Sequence, residues 1–294
     1  MEEIIDNIKC AIIEISEMLR NNNTFKLGQE NSFLNDSGDK IKKCDEISND
    51  IFIKHLKNTS SVKALVSEEE YKIIYTNNPG SSYLVCFDPL DGSTNINCNI
   101  TTGSIFSIFN YSHIDSGHDI ICSGYSLYGA STQLCLAYQN SVNFYQLTSN
   151  NFSKNFFKII KSNHKIPENG AYYSINYLNE STWSSLIKQF VENLVKERKN
   201  MRYAGSLVGD AHRILINGGT FIYPKNKENK NAKIRLLYEA YPMAHIYKCA
   251  GGFSHNEEKN ILDVSFPKDI HEKTSIILLG KNENELLSNI HRSL

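Results

Sequence analysis

Leu84-Val85-Cys86-Phe87 is an unbroken apolar run that ends on Asp88-Pro89-Leu90-Asp91-Gly92-Ser93-Thr94-Asn95. A run this short, bounded by turn residues, reads as a buried strand, and it delivers two carboxylates, stiffened by Pro89, to the end of a sheet. The amides of Gly92, Ser93 and Thr94 can then form an anion-binding nest with hydroxyls beside them, so a cation and a phosphate can sit side by side. A single Asp-Gly-Ser is ordinarily a polar turn that caps a strand. The full string is more specific, because a turn alone does not call for an acid both before and after Pro-Leu.

The 294 residues allow about two domains at roughly 150 residues each. Ile4, Ile5, Ile8, Ile12, Ile15 and Leu19 recur at three- and four-residue spacing, the stripe of an amphipathic helix over 3–20. Residues 21–39 lose all period and read as a long lid-like loop, and a second helix is predicted over 40–57. Strands are predicted at 64–67, 83–87, 104–109, 120–128, 134–138 and 142–147. The polar, lysine-bearing stretch 150–169 places a boundary, giving parts 1–163 and 164–294. In the second part, helices are expected at 183–196, 206–216 and 239–250, with strands at 219–223 and 234–237. Alternating strands and helices in both parts favour a layered α/β (α+β) fold.

Lys plus Arg number 31 against 32 Asp plus Glu, a net charge of -1 without a basic block, so nucleic acid is excluded as a partner. The apolar runs are far shorter than the roughly 20 residues that span a bilayer, and the acidic start lacks a secretory signal pattern. Seven scattered cysteines without a C-x-x-C pair point to reduced thiols. A soluble, cytoplasmic chain with no membrane partner is expected. A core of this size needs no metal to fold, so any metal is functional.

The string at 88–95 resembles the fructose-1,6-bisphosphatases, within the wider group of Mg²⁺-dependent, lithium-sensitive sugar and inositol phosphatases. Ser37-Gly38-Asp39-Lys40-Ile41-Lys42-Lys43-Cys44-Asp45, Val66-Ser67-Glu68-Glu69, Arg202-Tyr203-Ala204-Gly205-Ser206, Gly218-Gly219-Thr220-Phe221-Ile222-Tyr223-Pro224 and Arg235-Leu236-Leu237-Tyr238-Glu239 extend the resemblance over nearly the whole chain. It implies an α-β-α-β-α sandwich assembled as a homotetramer of dimers. It further implies a metal- and phosphate-binding part (1–163) and a sugar-bisphosphate-binding part (164–294). The implied activity removes the 1-phosphate of fructose-1,6-bisphosphate, a step of gluconeogenesis.

Alone, Glu68-Glu69-Glu70 is a charge run on a solvated loop, Asp45 an exposed helix acid and Glu239 a helix-start acid. The resemblance gathers Asp45, Glu68, Glu69, Asp88, Asp91 and Glu239 in one pocket and leaves Glu70 in solvent. Six carboxylates so close would hold protons unless divalent cations neutralise them, which implies two or more Mg²⁺, with Mn²⁺ able to substitute. Glu68, Asp88, Asp91 and Glu239 are the implied ligands together with the Leu90 carbonyl. Glu69, partnered by Asp45, takes the proton of the attacking water. Ser93 and Thr94, with Gly92, hold the reacting phosphate. Asn176, Tyr203, Tyr223, Lys233 and, from a neighbouring subunit, Arg202 hold the other phosphate. Arg235 supports the metal site or lid by pairing with Asp39.

The pattern breaks in places. Tyr177-Leu178-Asn179 replaces a Glu-Gly-Tyr whose tyrosine contacts phosphate, Glu228 stands where a base is common, and Asn97 where an aspartate is typical. Met1 begins almost at the first helix and Ser82 replaces a lysine beside Tyr83, so weak or absent AMP inhibition is expected. Sedoheptulose-1,7-bisphosphatase is the nearest rival reading. An inositol monophosphatase would leave the second phosphate cluster without a ligand, and an inactive metabolite sensor would have no reason to keep six repelling acids.

Overall fold

A computed structural model describes residues 1–34, 40–149, 154–225 and 232–294. Its longer helices are α1 (Glu2–Asn21), α2 (Lys43–Lys57), α3 (Ser185–Lys196), α4 (Leu207–Asn217), α5 (Tyr241–Cys249) and α6 (Lys281–Ser293). The strands of the large sheet are β1 (Val62–Ser67), β2 (Ile74–Tyr75), β3 (Tyr83–Asp91), β4 (Gly103–Asn110), β5 (Ile120–Tyr128), β6 (Thr132–Tyr138), β7 (Ser141–Ser149) and β8 (Asn155–Lys161). A smaller sheet holds β9 (Tyr172–Ser174), β10 (Asn200–Met201), β11 (Gly219–Tyr223), β12 (Phe253–His255) and β13 (Ile276–Leu279).

The large sheet runs β8-β7-β6-β5-β4-β3-β1-β2, antiparallel except where β1 and β3 run parallel. The smaller runs β10-β9-β11-β13-β12. Both are covered on both faces, and strand alternation sorts their side chains into layers. Val85 and Phe87 face α1 and α2, where they meet Ile8, Ile12 and Phe52. Leu84 and Cys86 face a middle layer formed by α4 and α5. On β13, Ile276 and Leu278 point back into that layer while Ile277 and Leu279 meet α3 and α6. The order is therefore helix, sheet, helix, sheet, helix, the expected α-β-α-β-α sandwich.

Several local expectations change. Residues 40–42 pair antiparallel with Glu30–Leu34, so α2 starts later than the 40–57 reading, and a helical turn at Thr24–Leu27 interrupts the supposed loop. Strand β8 falls inside the stretch taken as a polar boundary: it is an edge strand whose Phe156, Ile159 and Ile160 are exposed and whose Phe157 packs against the outer core. The predicted strand 234–237 is only Ile234–Arg235, followed by a π-helical turn at Leu236–Ala240 and then α5. Such turns are rare and cluster at functional sites.

Candidate active site

Strand β3 continues through both aspartates instead of stopping before them. Asp88 pairs with Ile105 and Asp91 with Gly103, so three steps on β3 face two on β4. The extra residue is a bulge, tolerated at Pro89, which has no N–H to offer the ladder. Its effect on chemistry is direct: in a regular strand residues three apart point to opposite faces, and the bulge brings Asp88 and Asp91 to the same side. The Leu90 N–H donates to Asp88 Oδ1 at 2.9 Å and Ser104 Oγ donates to the Pro89 carbonyl at 2.7 Å, which fixes the bulge.

Gly92 then turns the chain at φ 76°, in the left-handed region, and a Cβ there would lie 2.5 Å from Ser206 Cβ. This close approach docks the start of α4 onto the loop. Asp91 Oδ2 accepts from the Val208 N–H at 2.8 Å and is also bonded by the Leu207 amide, so the helix N-terminus grips the carboxylate. The Asn95 amide donates to the Ala204 carbonyl at 3.2 Å.

Parallel pairing of β1 and β3 sets Ser67 opposite Phe87, so Glu68 emerges beside Asp88. Glu239 arrives from the π-turn, its Oε2 accepting from the Arg235 N–H. Oxygens of Asp88, Asp91 and Glu239 all lie within 4.8 Å of one another. Asp45, three residues into α2, accepts from the Lys42 N–H at 3.1 Å and from Ser93, and is buried.

Burial first, and then the Glu68 charge, raise the pKa values of Asp88, Glu239 and Glu69, the last to about 9. Burial also pushes Asp45 and Asp91 up to about 7, with Glu68 again contributing against the backbone amides that pull the other way. The charge of Glu68 thus acts on each of the other five acids. Glu69 Oε2 is buried without a hydrogen-bond partner among the described residues. Oxygen donors alone, clustered and partly protonated for want of positive charge, form a donor set suited to a hard divalent cation.

Glu70 does not stay in solvent. It is half-buried, and its Oε1 accepts from Asn49 Nδ2 at 2.8 Å, while Asn49 Oδ1 accepts from Ser67 Oγ at 2.7 Å. Ser93 is half-buried with its hydroxyl on Asp45, Thr94 is exposed, and Leu90 packs against Leu27, Cys44 and Ile96.

Among the second set, Asn176 hydrogen-bonds Tyr203, whose hydroxyl pKa is raised by burial and then by the charges of Asp210 and Asp91. Tyr203 therefore lies in electrostatic reach of the acids. Tyr223 ends β11 half-buried, and Lys233 is exposed. Tyr177 bonds Tyr173 through their hydroxyls at 3.2 Å and packs on Trp183, so it turns into the outer core and does not replace the missing tyrosine. Arg202 is exposed, lies over the Tyr172 ring at 5.7 Å and donates to the Met201 carbonyl. Arg235 is buried, and its Nε and Nη1 have no hydrogen-bond partner among the described residues. Asp39 and Glu228 lie outside the described residues, so the Arg235 pairing with Asp39 does too.

Sequence reasoning missed Asp210. Its carboxylate accepts from the Ala204 N–H at 2.9 Å and the Gly205 N–H at 3.0 Å, holding the Tyr203 loop. A lone acid inside the apolar stripe Leu207, Val208, Ala211, Ile214 was the available signal. A cavity of about 420 Å³ opens nearby between Arg20, Asn97 and Tyr128, but none of the six acids lines it.

Family models for the fructose-1-6-bisphosphatase N-terminal domain and C-terminal domain match residues 1–156 and 166–291. Fructose-1,6-bisphosphatase class 1 of Sulfurihydrogenibium sp. is 40% identical over 264 residues, 87% of this chain and 80% of that protein. Fructose-1,6-bisphosphatase 1 of Bos taurus is 36% identical over 293 residues, 95% of this chain and 86% of that protein. The crystal structure of Leishmania major fructose-1,6-bisphosphatase in holo form superimposes with a TM-score of 0.92 at 32% identity, covering 99% of this chain and 94% of that one. Sandwich, acid cluster and relatives together define the class, a hydrolase of phosphoric monoesters. Within that class, the chain belongs to the fructose-1,6-bisphosphatase family.

Proposed function

We propose that this chain hydrolyses the 1-phosphate of fructose-1,6-bisphosphate to fructose 6-phosphate and phosphate, dependent on Mg²⁺. The observation that carries the reading is the acid cluster: oxygens of Asp88, Asp91 and Glu239 within 4.8 Å of one another, the Glu68 charge acting on these three and on Asp45 and Glu69, and the Asn176–Tyr203 pair in electrostatic reach. Glu68, Asp88, Asp91 and Glu239 would hold the cations, joined by the Leu90 carbonyl. Bound Mg²⁺ would supply neutralisation of phosphate charge and a more acidic water. Glu69, whose Oε2 has no hydrogen-bond partner among the described residues and which lies within electrostatic reach of Asp45, would accept the proton of the attacking water. The Gly92–Thr94 amides and hydroxyls orient the reacting phosphate.

Asn176, Tyr203, Tyr223 and Lys233 orient the sugar through its second phosphate, which contributes binding energy to positioning. The exposed Arg202 reaches the corresponding site of a neighbouring subunit in a homotetramer. A cytoplasmic location is part of the same reading: a relative from Brassica napus, 37% identical over 83% of this chain, is named as cytosolic, and among the described residues no helix is long and apolar enough to cross a membrane.

The test is kcat/KM on fructose-1,6-bisphosphate and sedoheptulose-1,7-bisphosphate, with Mg²⁺ and with EDTA. Fructose bisphosphate is expected to lead, and phosphate release to vanish in EDTA. Release that survives EDTA, or a preference for the seven-carbon sugar, overturns the reading.

A further inference from the structure

Glu68 and Glu69 stand on a turn of three consecutive acids, which their mutual repulsion would splay. The fold pins that turn from two sides. On one side Asn49 of α2 holds both Ser67 and Glu70, at 2.7 and 2.8 Å. On the other, His271 Nε2 meets the Glu70 backbone carbonyl at 3.1 Å, and His271 Nδ1 meets the Tyr238 hydroxyl at 2.8 Å. A carbonyl only accepts, so Nε2 carries the ring proton and Nδ1 accepts from the Tyr238 O–H.

Both ends of this bridge are rigid. Tyr238 is fully buried, and its ring meets the imidazole near edge-on with centroids 6.0 Å apart. The His271 N–H donates to Asp269 Oδ1 at 2.9 Å, and the next residue, Glu272, accepts through its carbonyl from the Leu236 N–H at 2.8 Å. The bridge therefore joins the turn that carries Glu68 and Glu69 to the π-turn that carries Glu239, two segments far apart in the chain.

We propose that His271, acting with Tyr238, is a positioning residue that sets the Glu68–Glu69 turn against Glu239 so that the acids form a ready-made cation site. This rests on reading the acids as a divalent-cation site. His271 touches neither substrate nor reacting atoms in this role. Losing a hydrogen bond to a metal ligand typically weakens metal binding by about 10- to 100-fold, and a bridge one residue removed from the ligands is expected at the low end of that range.

The experiment titrates Mn²⁺ into the metal-free protein by calorimetry, and measures half-saturating Mg²⁺ and the KM for fructose-1,6-bisphosphate separately. Tyr238→Phe keeps the buried ring and removes only the hydroxyl; His271→Leu removes the whole bridge. Each is expected to weaken Mn²⁺ binding about 10-fold, with little change in KM, and the double variant to be no weaker than the worse single one, since one bridge is lost once. His271→Gln, which can still donate to the Glu70 carbonyl, is expected to recover part of the affinity. If the parent binds Mn²⁺ and a folded Tyr238→Phe binds it within about twofold, against the effect usual for such partners, the positioning role is refuted. Lower thermal stability with unchanged Mn²⁺ affinity refutes it as well. If the parent itself binds no Mn²⁺, the acid-site reading beneath it has failed.

Discussion

Asp88→Asn is expected to stabilise the protein in EDTA while abolishing its activity. Oxygens of Asp88, Asp91 and Glu239 lie within 4.8 Å of one another, and at an effective dielectric constant of about 20 each ionised pair at that distance repels by about 3.5 kcal/mol. Three ionised acids would cost about 10 kcal/mol. At neutral pH it is cheaper for one of them to keep a proton, and holding an aspartate protonated at about pH 7 costs about 4 kcal/mol, at about 1.4 kcal/mol per pH unit above its ordinary value near 4.

Asparagine removes that cost. It retains the shape and can still accept from the Leu90 N–H. Allowing for relaxation of the pocket, the gain is roughly 2–4 kcal/mol, which at about 2 °C per kcal/mol for a chain of this length is a Tm rise of roughly 4–8 °C. Calorimetry in EDTA and in Mg²⁺ measures it. Mg²⁺ at about 100 times its Kd should stabilise the parent by about 2.7 kcal/mol and the variant far less, so the gap narrows or inverts. A variant that melts below the parent in EDTA, or that gains equally from Mg²⁺, refutes the claim that these acids strain one shared pocket.

Three further outcomes follow from the same geometry. In EDTA, stability should fall as pH rises from about 4 to about 9, because Asp45 and Asp91 titrate near 7 and Glu69 near 9 in the fold but all three near 4 when unfolded, so stability present at low pH is lost as pH rises through the folded values, each at up to about 1.4 kcal/mol per pH unit. His212 and His245 act oppositely: burial lowers both to about 4, so they cost stability as pH falls from about 6.5, and with Mg²⁺ bound only this acid limb should remain. Urea denaturation across that range that shows EDTA stability rising with pH would contradict this. Gly92→Ala forces a side chain into the left-handed region and against Ser206, and should lower kcat/KM by about 100-fold, a fall expected when reacting groups are displaced by about 1 Å; activity near that of the parent would show that the docking of α4 does not matter. Asp210→Ala strips the Ala204 and Gly205 amides of their acceptor, at about 1–3 kcal/mol each, and should raise KM for the bisphosphate more than it lowers kcat, whereas Asp210→Asn should keep much of both.

Much of the scaffold was legible because its signals are periodic. The isoleucine stripe of α1 and the apolar runs of β1 and β3 place their own core faces, and a strand apolar on both faces demands cover on both. The acid string at 88–91 was visible for its chemistry. Its geometry was not: a three-residue spacing alone predicts opposite faces, and only the bulge against Ile105 and Gly103 reverses that. Edge strand β8 was passed over because Phe156, Phe157, Ile159 and Ile160 do not alternate onto one face and sit among lysines. Glu70 was misread because its burial depends on Asn49, 21 positions away.

The sequence by itself determined the core faces of the periodic elements, the strand end at which Glu68 emerges, and the kinds of residue available for chemistry, since these follow from local periodicity and composition. Tertiary structure alone decided which acids meet, and that Asp91 is gripped by α4 and Glu70 by His271. The last two are contacts between segments more than a hundred residues apart, and all of these energies depend on burial and distance, neither of which is written in any single stretch of chain.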